Sequence, residues 1–190
     1  MTNNTKQNFS KDNTVGTSGF GGGMAGLVEM LGTKEVEKSE AHSAKNNQVF
    51  IIHGREEAKW RELKEILKEK FNLHPIILSE QAGEGKTLIE KIEKYASECS
   101  YAFAIFTHDD IVVSNNGEKY FQVRPNVIFE LGWFYAKLGR SNVCILNQES
   151  EQGSIFSDLK GVEYIPFKDK ISEQYLKIKT ELEAAEILPN

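Results

Sequence analysis

The sequence predicts an α/β chain built on a parallel five-stranded sheet with helices on both faces. Three observations point there. Short apolar runs recur along residues 48–167, among them Val49-Phe50-Ile51-Ile52 and Ala102-Phe103-Ala104-Ile105-Phe106. These runs are continuous rather than alternating, which is how strands covered on both faces read. Between them lie charged segments whose apolar residues recur every three or four positions, the period of amphipathic helices. Regular alternation of the two requires crossover connections, and therefore parallel pairing.

The first 47 residues stand apart. They are rich in Asn, Thr, Ser, Gly and Lys, and such a stretch buries too little apolar surface to offset the entropy of ordering. A mostly disordered N-terminal linker is expected there. Within it Met24, Leu27, Val28 and Leu31 fall at i, i+3, i+4 and i+7. That spacing marks a short helix at 24–31 able to dock on the domain or on a partner. A frayed tail is the alternative, since an isolated helix of this length is marginal in water.

A domain over 48–190 follows. A strand at 48–54 ends at Gly54. A helix at 56–71 turns Trp60, Leu63, Ile66, Leu67 and Phe71 inward. A strand at 74–78 carries Pro75 near its start, where proline is tolerated. After a loop at 79–85, a helix at 86–97 is expected to bury Leu88, Ile89, Ile92 and Tyr95. A third strand spans 101–107, and a long polar loop spans 108–123. A helix at 125–138, a strand at 142–146, a polar loop at 148–160, a short edge strand at 162–167 and a helix at 172–187 complete the chain. Five such strands suit a flavodoxin-like order, in which ligands sit beyond the carboxyl ends of the strands. That rule gathers His53, Gly54, Arg55, Glu80, Asp109, Asp110, Arg124, Asn126 and Glu130 on one rim.

The helix at 125–138 holds the most informative residue. Pro125 suits a first helical turn. Val127, Ile128, Leu131, Phe134, Tyr135 and Leu138 form an apolar stripe, and Gly139 is a natural C-cap. Glu130 is the only acid in this helix, among Phe129, Leu131, Trp133 and Phe134. It is either solvated on the outer face or held in a cleft, where desolvation raises its pKa and suits it to chemistry.

Other motifs leave their alternatives open. Gly83-Glu84-Gly85-Lys86-Thr87 resembles the end of a phosphate-binding loop, but that pattern needs glycine at 80 and Glu80 stands there. The same residues also fit a loop that caps the next helix through Thr87, or a hinged lid. His53 and Arg55 flank Gly54 either as an exposed turn or as a place where a phosphate meets backbone and guanidinium. Asp109-Asp110 suits a ribose better than Mg²⁺, for lack of a third hard ligand. Arg124 is expected to pair with Glu130 or to contact a pyrophosphate. No residue set is assigned to a metal.

A formal net charge of −5 argues against a general nucleic-acid or membrane-surface binder. No apolar run approaches the ~20 residues of a membrane span, and no secretory leader is recognisable. Cys99 and Cys144 lack metal-ligand spacing and read as reduced core thiols of a cytoplasmic protein.

Residues 48 to about 187 resemble the bacterial TIR-like domain of antiphage effectors. The residues that carry the resemblance are Val49-Phe50-Ile51-Ile52-His53-Gly54-Arg55, Pro75-Ile76-Ile77-Leu78 with Glu80-Gln81, Glu90-Lys91, and Thr107 with Asp109-Asp110. Most specific is Arg124-Pro125-Asn126-Val127-Ile128-Phe129-Glu130-Leu131-Gly132-Trp133-Phe134, followed by Lys137-Leu138-Gly139-Arg140. Gly161-Val162 and Tyr164-Ile165-Pro166 match the end. The resemblance implies an NAD⁺ glycohydrolase that releases nicotinamide and leaves ADP-ribose or a cyclic form of it. It implies Glu130 as the catalytic residue, Arg55 and Arg124 near the pyrophosphate, and Trp133 as an apolar or stacking contact. NAD⁺ is then substrate, with no further cofactor. It also implies activation by assembly into a homo-oligomer or filament, with a separate regulatory protein as partner. The alternatives are a non-enzymatic TIR-type signalling module and, behind it, a nucleoside-triphosphate-binding protein using residues 83–87.

Overall fold

The continuous apolar runs become strands covered on both sides. The computed structural model describes residues 45–150, 153–154, 159 and 161–189, all within the unit His42–Asn190. The N-terminal linker up to residue 44, including the helix expected at 24–31, lies outside the described residues. The elements are β1 (Gln48–Ile52), α1 (Glu57–Phe71), β2 (His74–Ile76), α2 (Leu88–Glu98), β3 (Tyr101–Phe106), β4 (Asp110–Val113), β5 (Lys119–Gln122), α3 (Pro125–Leu138), β6 (Val143–Gln148), β7 (Gly153–Ser154), β8 (Ile165–Phe167) and α4 (Tyr175–Ala184).

Five strands pair in the order β2-β1-β3-β6-β8, all parallel. This is the flavodoxin-like order, with the switch between β1 and β3. The pleat sends alternate residues to opposite faces. Val49 and Ile51 join Tyr101, Phe103, Cys144 and Leu146 against Trp60, Leu63 and Leu67 of α1 and Ile178 and Leu182 of α4. Phe50 and Ile52 join Ala102, Ala104, Phe106 and Ile145 against Ile92 and Tyr95 of α2 and Val127, Leu131 and Phe134 of α3. Small alanines on the second face let α3 approach closely, and the Phe50 and Phe134 rings meet at 4.5 Å.

Two expectations are corrected, and one buried residue is added. The polar loop at 108–123 contains a hairpin: β4 and β5 pair antiparallel, and β5 pairs in parallel with β7, giving a second, small sheet. Its turn closes through Ser114 N–H to the Glu118 carbonyl at 2.9 Å, with Gly117 at φ 86°. Leu88 and Ile89 are not inward but 54% and 50% exposed. They sit in the first turn of α2, and only Ile92, Tyr95 and Ala96 further along reach the sheet. Lys59, unremarkable in the sequence, is buried, bonded to the Asp169 carbonyl and paired with Glu56 and Asp169.

The residues before β1 are part of the framework. Lys45 Nζ donates to Asn142 Oδ1 at 2.9 Å and to the Ala185 carbonyl at 2.5 Å. Asn46 Nδ2 donates to the Glu98 carbonyl at 2.6 Å, and its N–H donates to Ser100 Oγ at 2.9 Å.

Candidate active site

Glu130 is placed by packing. Phe134 lies on Phe50, so α3 is fixed over β1. One turn back along α3 from Phe134, about 5.4 Å, comes Glu130. Two residues on from Phe50 along β1, about 6.6 Å, comes Ile52, the last residue of that strand. Glu130 therefore stands level with the carboxyl end of β1, at the strand-order switch. Its carboxyl is half-buried, and burial alone pushes its pKa up to about 7. Neither a charge nor a hydrogen bond from another residue contributes to that shift. Its partial burial sets it apart from a fully solvated outer-face carboxylate.

The β1–α1 loop leaves the same end of the sheet. Arg55 N–H donates to Asp109 Oδ2 at 2.7 Å. That carboxylate lies over Gly54, where a Cβ would come within 1.9 Å of Asp109 Oδ2 and 3.1 Å of Thr107 Oγ1. Gly54 thus lets the β3–β4 loop close onto the β1–α1 loop. His53 Nδ1 lies 2.8 Å from the Gly54 carbonyl, and because a carbonyl only accepts, Nδ1 carries the proton and Nε2 is left as an acceptor. Its ring packs on Trp60 at 5.3 Å. Burial holds the His53 pKa below its ordinary value, against the opposing pull of the Gly54 carbonyl, Glu57, Asp109 and Glu80.

The remaining rim residues divide. Asp110 lies between Arg55 Nη2 at 3.9 Å and Arg124 Nε at 3.7 Å. The expected alternative, an Arg124–Glu130 pair, does not form. The hairpin register explains it, since Asp110 pairs with Gln122 and so comes back beside Arg124 two residues later. Glu80 is drawn to α1, with both oxygens 2.6 Å from Lys64 Nζ. Asn126 is exposed in the first turn of α3. Trp133 is partly buried against the core and lies 6.2 Å from exposed Phe129, and both line a groove of about 630 Å³ with Ile128 and Gly132. A separate cavity of about 680 Å³ lies between α3, the start of β6 and α4, lined in part by Tyr135, Arg140, Glu163 and Glu181. Glu130 lines neither.

The glycine loop has a structural use. Thr87 and Glu90 form a capping box at the start of α2, while Lys86 pairs with Glu84. Thr87 and Lys86 of that loop thus each have a partner within the chain. Two polar residues close the buried strands, Thr107, which the resemblance includes, and Asn147, which the sequence reading missed. Thr107 and Asn147 are buried at the ends of β3 and β6, and Asn147 Oδ1 has no partner among the described residues. The available signal was a polar residue closing a continuous apolar run.

The family model of the CAP12/Pycsar effector protein TIR domain matches residues 48–169. The chain belongs to that family. The CAP12/Pycsar-type TIR match thus spans the whole rim, from His53 to Glu130, and stops short of α4. Relatives agree. The chain is 33% identical to protein tirC of Dictyostelium discoideum over 135 residues, covering 66% of this chain and 67% of tirC. It is 38% identical over 88 residues to the Pycsar effector protein PaPycTIR of Pseudomonas aeruginosa, covering 46% of this chain but only 28% of that protein. Among solved structures, the TIR domain of the Toll-related receptor TRR-2 of Hydra magnipapillata superposes with a TM-score of 0.46 at 8% identity, over 70% of this chain and 94% of that one. The fold of this CAP12/Pycsar-type TIR domain is read from its own strand order. Among its described residues no helix is long and apolar enough to cross a membrane.

Proposed function

We propose that this TIR domain cleaves the bond between nicotinamide and ribose in NAD⁺, as a cytoplasmic effector of antiphage defence. The observation that carries the reading is Glu130, a desolvated carboxylate without a counter-charge at the strand-order switch. Nicotinamide leaves as a neutral molecule from a cationic ring, so the leaving group needs no proton. What the transition state needs is an anion beside the developing oxocarbenium charge, and a carboxylate in a low-dielectric setting supplies it strongly. In this reading Asp109 serves the ribose hydroxyls and Arg55 and Arg124 the pyrophosphate, with Asp110 lying between the two arginines. His53 offers Nε2 as an acceptor on the same rim.

Assembly belongs to the same proposal. Activity then requires several copies, brought together by a separate regulatory protein or through residues 20–32. If a chain lacking residues 1–47 assembles and responds to its partner unchanged, the role of that segment fails.

The decisive measurement is NAD⁺ consumption by purified protein at high concentration, with products separated by chromatography. Wild type is expected to release nicotinamide. Glu130→Ala is expected to lose about 100-fold or more of that rate, the scale of removing a charge-stabilising group, with an unchanged circular dichroism spectrum. Equal turnover in the two proteins excludes Glu130 as the catalytic residue. A non-enzymatic interaction module is the second reading, favoured by the apolar groove along α3 and by exposed Phe129. It requires that NAD⁺ survive in the assembled state.

A further inference from the structure

Asp110 sits between two arginines from different loops without satisfying either. Its oxygens lie 3.9 Å from Arg55 Nη2 and 3.7 Å from Arg124 Nε. A well-formed charge-assisted hydrogen bond is about 2.7–2.9 Å. Arg124 Nε is also buried, and it has no hydrogen-bond acceptor among the described residues. A buried donor left unmade is costly, so this nitrogen is poised for a better acceptor. The Arg55 side chain is 66% exposed, and the Arg124 and Asp110 side chains are about one-third exposed. The side chains around the gap are therefore partly exposed, while Arg124 Nε itself is covered by its neighbours.

Two guanidinium forks facing one gap suit an anion with more oxygens and more charge than a carboxylate. We propose that Asp110 is a placeholder for the diphosphate of a dinucleotide. It keeps Arg55 and Arg124 facing one another while the site is empty, and a diphosphate displaces it by closing the short hydrogen bonds that Asp110 leaves open. This rests on the reading of the rim as an NAD⁺ site. The displaced carboxylate stays near the incoming anion, so it also raises the threshold for binding. The repulsion acts on any anion, and a diphosphate offsets it with contacts that a monophosphate lacks. Asp110 is in this sense a positioning and selectivity residue, acting through the arginines.

The test uses the full chain and ADP, which carries the diphosphate but no nicotinamide bond. Isothermal titration of wild type and Asp110→Asn is expected to give binding about fivefold tighter in the variant. That is the effect of one unit charge about 4 Å away in water. The gain is expected for ADP and AMP alike, and to disappear when Arg124→Gln is added. In wild type, with no substitution at all, ADP is expected to shift the Nε–H resonances of Arg55 and Arg124 but not those of Arg61 and Arg140. Unchanged or weaker ADP binding in Asp110→Asn overturns the proposal. So does a gain that survives Arg124→Gln, or an ADP titration that leaves the Arg55 and Arg124 signals unmoved. None of these results depends on turnover, so failure here leaves the Glu130 experiment standing, and failure there leaves this one standing.

Discussion

At the scale of single residues, Glu130 makes the most direct prediction. Its pKa of about 7 comes from burial alone. If it acts as an anion, turnover is lost as pH falls through its titration. The acid limb of kcat/KM for NAD⁺ should therefore have its midpoint near 7, because that quantity reports the free enzyme. A cationic nicotinamide beside the carboxylate pulls its pKa down, so the limb of kcat should lie at lower pH. A pH–rate series under saturating and limiting NAD⁺ checks both. A limb near the ordinary carboxylate value would deny the desolvated role. Gly54 gives a second residue-level test. A methyl group there meets the Asp109 carboxylate at 1.9 Å and forces it off the Arg55 N–H. Gly54→Ala should cost about 1–3 kcal/mol, the worth of a hydrogen bond to a charged group. Asp109→Ala should remove most of the difference when urea melts of the single and double variants are compared. Glu130 was legible in the sequence as an odd acid in an apolar helix. Its isolation was not. The sequence left Arg124 as a candidate partner, and only the pairing of Asp110 with Gln122 reveals why that arginine is taken elsewhere.

At the scale of elements, the strands were legible because both of their faces are covered. Every residue of β3 is buried, and so are Val49 to Ile52 of β1. The β4–β5 hairpin escaped because its strands are only partly covered, with Ile111 and Val113 exposed. Yet its signal was present in Asn116-Gly117, a turn dipeptide between two runs that can pair. Leu88 and Ile89 misled for the opposite reason. Their helical spacing was right, but α2 begins at Leu88 and its first turn stays outside the core. The loop before α2 divides two readings cleanly. If residues 83–87 only cap the helix, Thr87→Ala should lower stability by about 1 kcal/mol and Lys86→Ala should leave NAD⁺ turnover unchanged. Thermal melts and turnover of both variants decide it. Loss of turnover in Lys86→Ala alone would restore the loop as a ligand site.

At the scale of the whole molecule, composition placed the domain start at residue 48, where the first apolar run begins. The hydrogen bonds of Lys45 and Asn46 to α2, Ser100, Asn142 and Ala185 fasten the chain before that point. Polar residues of this kind carry no periodic signal, so their anchoring was not readable. A chain starting at residue 45 should be more stable than one starting at 48 by about 1–2 kcal/mol, the net worth of a few exposed hydrogen bonds. Chemical denaturation of the two checks it, and identical midpoints would deny the anchoring. The family match and the strand order describe the same region. The core of that region also has a practical property. Cys99 and Cys144 are the chain's two cysteines, and both are buried and free. Burial pushes the Cys99 thiol up to about 12 and raises Cys144 as well, so neither forms thiolate near neutrality. The native chain is therefore expected to react slowly with maleimides, and a cysteine introduced at the exposed hairpin tip, Asn116, to take up a fluorophore in preference. Such a label would ride on the hairpin that begins with Asp110, and would turn displacement of that carboxylate into an optical signal in unmodified buffer.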